Sequence, residues 1–201
     1  MKHALIIAHP AAQSFTATMA QAYADALTAK GHEVVERDLY RMAFDPCLRE
    51  GEVPRPEGFE PGADVRAERE LLRDVQSFAF FFPVWINSPP AMLKGYLERV
   101  FGMGFGYGMV EGGNGPLLAG RSMISFSSSG APKPWMMQTG CWDAMRKLFD
   151  EHFSTVCGLD VLDHLHFGGI VPGITAEAVE SCAAQVRAAA DQRFGRPVRA
   201  A

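Results

Sequence analysis

Five segments along the chain have the length and composition of β-strands. They are Ala4–Ala8, Glu33–Asp38, Phe78–Phe82, Arg121–Phe126 and Leu159–Phe167. Phe78–Phe82 is wholly apolar and mostly aromatic, which is typical of a strand buried on both faces of a parallel sheet. Glu33–Asp38 alternates only weakly and is more polar, so we predict that it is an outer strand.

Segments with helical periodicity lie between these strands. The first follows Ser14, a favoured N-cap residue, and stops at Gly31. The other predicted helices are Ala63–Val75, Ala91–Phe101, Trp142–Val156 and a last one from Thr175, as N-cap, to about Arg193. Strands that alternate with helices predict one α/β domain over residues 1–201, a doubly wound parallel sheet with helices on both faces. The flavodoxin-like strand order 2-1-3-4-5 fits this pattern.

Three loops follow the first, third and fourth predicted strands. They are His9–Thr16, Pro83–Asn87 and Ser127–Gly130. In the order 2-1-3-4-5 these strands are neighbours, so we expect the loops to converge at the sheet edge where open α/β proteins bind ligands. The first loop leads into a helix N-terminus, whose free N–H groups favour an anion such as phosphate.

Three other segments are predicted to lack regular structure. Phe44–Gly62 is too long for a plain connection, so it is either functional or mobile. Met109–Gly120 is predicted as a glycine-rich loop, and the tail after Gly195 is predicted to be loose.

The composition narrows the class of protein. The chain has 201 residues, 48% hydrophobic and 21% charged, with a net charge of −4, which gives no basic surface for nucleic acid. Its four cysteines lack C-x-x-C spacing, which argues against a zinc knuckle or a disulfide framework, and we expect no metal. No signal peptide is visible and no apolar run is long enough to cross a bilayer, so we expect a cytoplasmic protein without stable membrane insertion.

The stretch Phe78–Tyr107 resembles the signature of the flavodoxin-like NAD(P)H:quinone oxidoreductases. In that family a Pro–aromatic loop lines the flavin ring, and a P-A-x-L-K-G helix runs into a [DE]-R-V-F…G-[FW]-[AG]-Y segment. The matching residues are Pro90, Ala91, Leu93, Lys94, Gly95, Glu98, Arg99, Val100, Phe101, Gly104, Phe105 and Tyr107. The A-H-P-x-x-x-S-F pattern that begins at Ala8 is similar to the family's flavin-phosphate loop, although Thr16 stands where members usually have Asn.

The resemblance implies a set of site residues. Those expected to bind the cofactor are His9, Ser14, Phe15 and Thr16 near the phosphate, Pro83, Val84, Trp85, Ile86 and Asn87 at the ring, and Ser127, Ser128, Ser129 and Gly130 at its polar edge. Phe105, Tyr107 and Trp135 are the residues expected in the substrate pocket. Where some members have Tyr and His after this last loop, the chain has Trp135 and Cys141, so no residue is assigned as catalytic.

The resemblance also implies an activity. The expected cofactor is FAD, with FMN as the alternative, and NAD(P)H is expected to donate two electrons that pass to a quinone or a similar small electrophile. A single slot shared by donor and acceptor implies ping-pong kinetics, and the family implies a homodimer. The alternatives are a flavin-binding electron carrier and a regulatory subunit of an ion-efflux system. A hydrolase is disfavoured because neither G-x-S-x-G nor H-E-x-x-H occurs.

Overall fold

A five-stranded parallel sheet lies at the centre of the fold. The computed structural model describes residues 1–56 and 58–195. The strands are β1 (Lys2–Ile7), β2 (Glu33–Asp38), β3 (Ser77–Pro83), β4 (Tyr107–Val110), β5 (Gly113–Pro116), β6 (Ser122–Ser129) and β7 (Asp160–Gly168). The main sheet has the order β2-β1-β3-β6-β7 with every pair parallel, which confirms the predicted order 2-1-3-4-5.

The helices begin close to where the sequence predicts them. They are α1 (Phe15–Thr28), α2 (Ala63–Leu71), α3 (Ala91–Val100), α4 (Lys133–Gln138), α5 (Cys141–Met145), α6 (Ser154–Cys157) and α7 (Ala176–Phe194). A π-helical segment, Arg146–Phe153, joins α5 to α6. Ser14 and Thr175 cap α1 and α7 as predicted, since each side chain accepts a backbone N–H of the first turn.

Alternate residues of β3 build the two cores, one on each face of the sheet. On one face Phe80 contacts Phe149 of the π-helical segment, with ring centroids 5.6 Å apart. On the other face Phe81 stacks on Phe126 at 4.8 Å, under α1 and α7. Helices therefore cover both faces, as the apolar composition of this strand predicted. The assignment of residues 1–201 to a single domain stays a prediction.

Two predicted loops contain strands. Ser127–Ser129 were expected to leave the fourth strand, but they are its last three residues, because β7 continues beside them and pairs with each. Met109–Gly120 was expected to be a loop, but it contains most of the β4–β5 hairpin. Gly112 and Gly113 turn that hairpin at positive φ (93° and 127°), and such glycines hide the strand pattern in the sequence.

Smaller differences concern element ends. The predicted helix Ala63–Val75 ends at Leu71, and β3 includes Pro83. The short helix α4 was not predicted. The predicted loose tail lies outside the described residues.

The long segment Phe44–Gly62 is held to the body of the fold by Arg99. The Arg99 guanidinium, from α3, donates to both carboxylate oxygens of Glu52, at 2.9 and 2.7 Å. It also donates to Asp64 and to the backbone oxygen of Asp45. These bonds hold the pKa of Glu52 down at about 2. Arg99, one of the residues that match the family signature, thus holds this segment on the body of the fold.

Candidate functional site

The three predicted loops meet at the carboxyl edge of the sheet. Ala8 N–H donates to the oxygen of Phe81 (2.9 Å), and Val84 N–H donates to the oxygen of Ser128 (2.6 Å). The His9 and Trp85 rings approach to 5.9 Å between centroids. The structure therefore brings the first two loops into contact and places the third beside them, at the edge where ligands of this sheet type bind.

The first loop presents backbone amides rather than hydroxyls. Ser14 Oγ accepts the N–H of Ala17 and so serves as a cap. The N–H groups of Phe15 and Thr16 have no hydrogen-bond partner among the described residues, and they point from the positive end of α1. The Phe15 ring packs on Phe167 and the Thr16 side chain is buried, so these two residues offer their amides only.

His9 lies in the same loop as these amides. Its Nδ1 is 3.1 Å from the nitrogen of Ala11 and 3.2 Å from the oxygen of the same residue, so Nε2 carries the hydrogen of a neutral ring when Nδ1 accepts the Ala11 N–H. In that tautomer the loop offers an anion one imidazole N–H and two backbone N–H groups.

The second loop is a strained tight turn. Trp85 and Ser88 exchange backbone hydrogen bonds at 3.0 and 3.1 Å, and the two residues between them have positive φ, 50° at Ile86 and 54° at Asn87. Positive φ is an outlier for a β-branched residue, and such strain concentrates at functional sites. The Ile86 side chain is 99% exposed. The turn thus displays apolar surface at the sheet edge, and the backbone N–H groups of Ile86 and Asn87 have no hydrogen-bond partner among the described residues.

In the third segment, Ser127–Gly130, the serine hydroxyls do not face the site as expected. Ser127 and Ser129 point into the fold, where histidines accept or donate hydrogen bonds to them, and Ser128 points to the opposite face. Gly130, the first residue after β6, is exposed. Any contact to a ligand's polar edge would therefore come from the backbone of this segment.

A buried polar chain lies directly behind this segment, and the sequence analysis did not find it. We define it as Asp150, His164, Ser127, His166 and Ser129, in the order in which they touch. Successive polar atoms lie 2.7, 2.7, 2.8 and 2.9 Å apart. Burial, with the nearby charges of His164 and Lys133, lowers the pKa of His166 to about 4. The one signal in the sequence was the i, i+2 spacing of both the serines and the histidines.

The three residues predicted for a substrate pocket are not brought together. A largely apolar cavity of about 580 Å³ lies between α3 and the π-helical segment, and Tyr107 lines it with Leu97 and Phe153. Phe105 instead packs on Phe101, and Trp135 is half exposed on α4.

Cys141 is linked to the second loop through its backbone. Asn87 Nδ2 donates to its carbonyl oxygen at 3.1 Å. This contact places the start of α5 next to the Trp85–Ser88 turn.

Residues 1–56 and 58–195 contain neither a membrane-spanning helix nor a group of metal-binding side chains. No helix there is long and apolar enough to cross a membrane. No cluster of three or more His, Cys, Asp or Glu side chains there could hold a metal ion.

Comparison with known proteins agrees with this architecture. A family model described as "Flavodoxin-like fold" matches residues 1–192. An uncharacterized NAD(P)H oxidoreductase of Haemophilus influenzae is 28% identical over 171 residues, which cover 85% of each protein. NAD(P)H dehydrogenase [quinone] 1 of Cavia porcellus is 30% identical over 181 residues, which cover 79% of this chain but 65% of the longer relative.

A solved structure shares the whole fold. The NAD(P)H:quinone oxidoreductase from Methanothermobacter marburgensis superposes with a TM-score of 0.80 at 26% identity, and the match covers 96% of this chain and 98% of that one. The family that the signature around Phe78–Tyr107 predicts is confirmed. The chain belongs to the flavodoxin-like family that includes the NAD(P)H:quinone oxidoreductases.

Proposed function

We propose that this protein is a flavin-dependent oxidoreductase that transfers two electrons from NAD(P)H to a quinone. The observation that carries the proposal is the meeting of the His9–Thr16 loop with the strained Trp85–Ser88 turn at the switch point of the sheet. The names of the Cavia porcellus and Methanothermobacter marburgensis relatives support the same reaction.

The residues at this edge fit a flavin. The free amides of Phe15 and Thr16, with His9 Nε2–H, would hold a phosphate, and the Trp85 indole would flank an aromatic ring. The amides of Ile86 and Asn87 would donate to polar atoms of the ring. The bound flavin supplies the two-electron chemistry, while the protein supplies binding, orientation and fixed donors. FAD is the proposed form, with FMN as the alternative.

Donor and acceptor would use one slot in turn. NAD(P)H would bind against the ring and leave as NAD(P)⁺, after which a quinone would enter the same place. This order predicts parallel lines in double-reciprocal plots. Intersecting lines would contradict the shared slot, although not the reaction itself.

A homodimer is part of the proposal. Leu148 is 74% exposed beside the apolar cavity, and Ile86 is almost fully exposed at the sheet edge. A second copy that covered these side chains would complete the pocket in which we place Phe105, Tyr107 and Trp135. Light scattering at assay concentration would test this, and an active monomer would contradict it. A cytoplasmic location stays a prediction.

Reconstitution tests the proposal directly. Protein freed of ligand is incubated with FAD and, separately, FMN, and bound flavin is identified by mass spectrometry and counted per chain. We expect one flavin per chain that NAD(P)H bleaches and a quinone restores. Binding without bleaching would indicate an electron carrier, and no binding of either flavin would refute the proposal. Trp85→Ala should weaken binding, whereas Met109→Ala, an exposed residue of the β4–β5 hairpin, should not.

A further inference from the structure

The buried polar chain is hydrogen-bonded from end to end. Asp150 Oδ2 lies 2.7 Å from His164 Nδ1, and His164 Nε2 lies 2.7 Å from Ser127 Oγ. Ser127 Oγ is 2.8 Å from His166 Nδ1, and His166 Nε2 is 2.9 Å from Ser129 Oγ. Every member is at most 8% exposed. The buried polar chain runs from Asp150 of the π-helical segment to Ser129, the last residue of β6, at the edge where the proposed ring site lies.

We propose that this chain is a proton relay that moves one proton between the carboxyl edge of the sheet and the Asp150–His164 pair. The inference rests on the proposed function, because reduction of a quinone by NAD(P)H takes up one proton for each two electrons. Some relatives have a Tyr and a His after this loop, and this protein has neither at those positions, so the proposed relay would supply the proton-transfer groups instead. Trp135 stands at one of those positions and can neither accept nor release a proton at neutral pH.

Every polar atom of the buried polar chain has a hydrogen-bond partner when the buried polar chain carries no extra proton. The Asp150 carboxylate accepts from His164 Nδ1–H, so His164 Nε2 accepts from the Ser127 hydroxyl. Ser127 Oγ then accepts from His166 Nδ1–H, and His166 Nε2 accepts from the Ser129 hydroxyl. No donor or acceptor along the chain lacks a partner, which removes the usual cost of burying polar groups.

The hydrogen bonds are also complete after one proton has been added. The proton binds His166 Nε2, and the Ser129 hydroxyl turns to the oxygen of Ala131, 2.8 Å away. The hydrogen on His166 Nδ1 passes to Ser127 Oγ, and the Ser127 hydrogen passes to His164 Nε2. His164 is then an imidazolium beside the Asp150 carboxylate, and the reverse sequence returns the proton. Two satisfied states that differ by one proton are what a relay requires.

An added proton on the buried polar chain is attracted to the inner end by the Asp150 carboxylate, and two cations, Arg146 and Lys133, lie near the two ends. Arg146 Nε is 3.6 Å from Asp150 Oδ2, and the Ser125 hydroxyl donates to Asp150 Oδ1 at 3.3 Å. Lys133 of α4 lies over the Trp142 ring, which covers both imidazoles. The facing residue of β3 is Phe82, which does not titrate. The lowered pKa of His166 means that this ring passes a proton on rather than keeping it.

The first test needs no flavin. Imidazole nitrogen resonances are followed against pH by NMR in the flavin-free protein. We expect His164 and His166 to respond over one common pH range, because they share a proton. Ser127→Ala should separate the two midpoints by at least one pH unit, and Ser127→Thr, which keeps the hydroxyl, should restore the common response. Ser77→Ala is the matched control, a buried serine on the neighbouring strand.

Independent titration of the two histidines in the unaltered protein, unchanged by Ser127→Ala, would overturn the relay. If Ser127→Ala does not fold, Ser129→Ala gives the same information from the other end. That change removes the partner of His166 Nε2 and should shift the midpoints of both rings.

The second test uses the flavin-loaded protein. Loss of general acid–base assistance typically costs about a hundredfold or more. We expect Ser127→Ala to slow turnover by at least tenfold at pH 8, with recovery toward low pH, and Ser127→Thr to behave as the unaltered protein. A normal rate and pH profile in Ser127→Ala would overturn the relay alone. Absence of flavin binding in the unaltered protein would refute the proposed function, while the NMR test would still decide the relay.

Discussion

The Arg99 guanidinium donates hydrogen bonds to both carboxylate oxygens of Glu52, a residue 47 positions earlier in the chain. Nε lies 2.9 Å from Oε2 and Nη2 lies 2.7 Å from Oε1, with the Arg99 side chain fully buried. This pair holds the segment Phe44–Gly62 over α3 and the large apolar cavity, which that segment partly lines. This ion pair therefore helps to hold one wall of the cavity in place.

Arg99→Met should lower the free energy of unfolding by about 3–5 kcal/mol at pH 7, because it leaves the buried Glu52 carboxylate with two backbone N–H donors but no charged partner. The pKa of Glu52 is lowered from 4.5 to about 2 in the folded protein, so the pair stabilises above pH 4.5 and is lost as pH falls toward 2. Urea unfolding at pH 7, 4 and 3 should show that the difference in unfolding free energy between the unaltered protein and the variant becomes smaller as the pH falls. Arg66→Met, which removes an exposed pair with Glu60, should change stability by about 1 kcal/mol or less.

Gly95→Ala should destabilise the fold by about 1–3 kcal/mol, through overpacking. A Cβ on Gly95 would overlap the backbone oxygen of Pro46, where the long segment crosses α3. Gly51→Ala is the control, because a Cβ there meets nothing and its φ is not positive. Thermal unfolding of both variants compares them, and equal melting temperatures would contradict the close approach.

Tyr23→Phe should leave stability unchanged or raise it by about 1 kcal/mol. The Tyr23 hydroxyl is buried and has no hydrogen-bond partner among the described residues, so its removal takes away a desolvation cost. Tyr96→Phe is the opposite case, since the Tyr96 hydroxyl donates to Glu68 at 2.7 Å. That variant should lose about 1–3 kcal/mol. Chemical denaturation at pH 7 would measure both, and a reversed order would refute the argument.

Ile86→Gly should stabilise the protein by about 1 kcal/mol or more, because glycine adopts φ near 50° without strain. The same change removes a fully exposed side chain at the proposed ring site, so flavin affinity should fall. Calorimetric titration with FAD, beside thermal unfolding, would separate the two effects. Ala43→Gly, also at positive φ but outside the three loops of the candidate site, should stabilise without altering flavin affinity.

Stability should fall as pH drops from 7 to 5, in part because of His3. Burial lowers the pKa of His3 to about 3, so between pH 6.5 and 3 the unfolded chain binds a proton that the folded chain does not. His3→Leu should reduce this pH dependence. Urea midpoints at pH 7 and 5 would measure this pH dependence. An equal change of midpoint with pH in the variant and the unaltered protein would contradict the prediction.

The sequence predicts the sheet well because the signal for each strand is local. Phe78–Phe82 and Glu33–Asp38 differ in polarity, which already separates the central strand from the outer one. The three loops at the strand ends follow from the order of the strands. The features that the sequence did not predict are of two kinds. Some are glycine-rich strands, as in the β4–β5 hairpin, and others depend on how two strands pair.

The buried polar chain belongs to the second kind. Ser127 meets His166 only because β6 and β7 pair in one particular register, with Ser127 opposite His166. No pattern in the sequence fixes that register, and Asp150 comes from a helix whose geometry changes along its length. The hydroxyls of Ser127 and Ser129 therefore appeared free for a ligand when only their order along the chain was known.

The contact between Asp150 and His164 depends on the number of residues in the π-helical segment Arg146–Phe153. Successive residues of an α-helix are rotated by about 100°, so deleting one residue between Met145 and Asp150 would turn the carboxylate away from His164. A relative could then keep all five residue types of the chain and still lack the contact. Alignment gaps in this helix, rather than substitutions, would mark the point in the lineage where the buried contact was gained or lost.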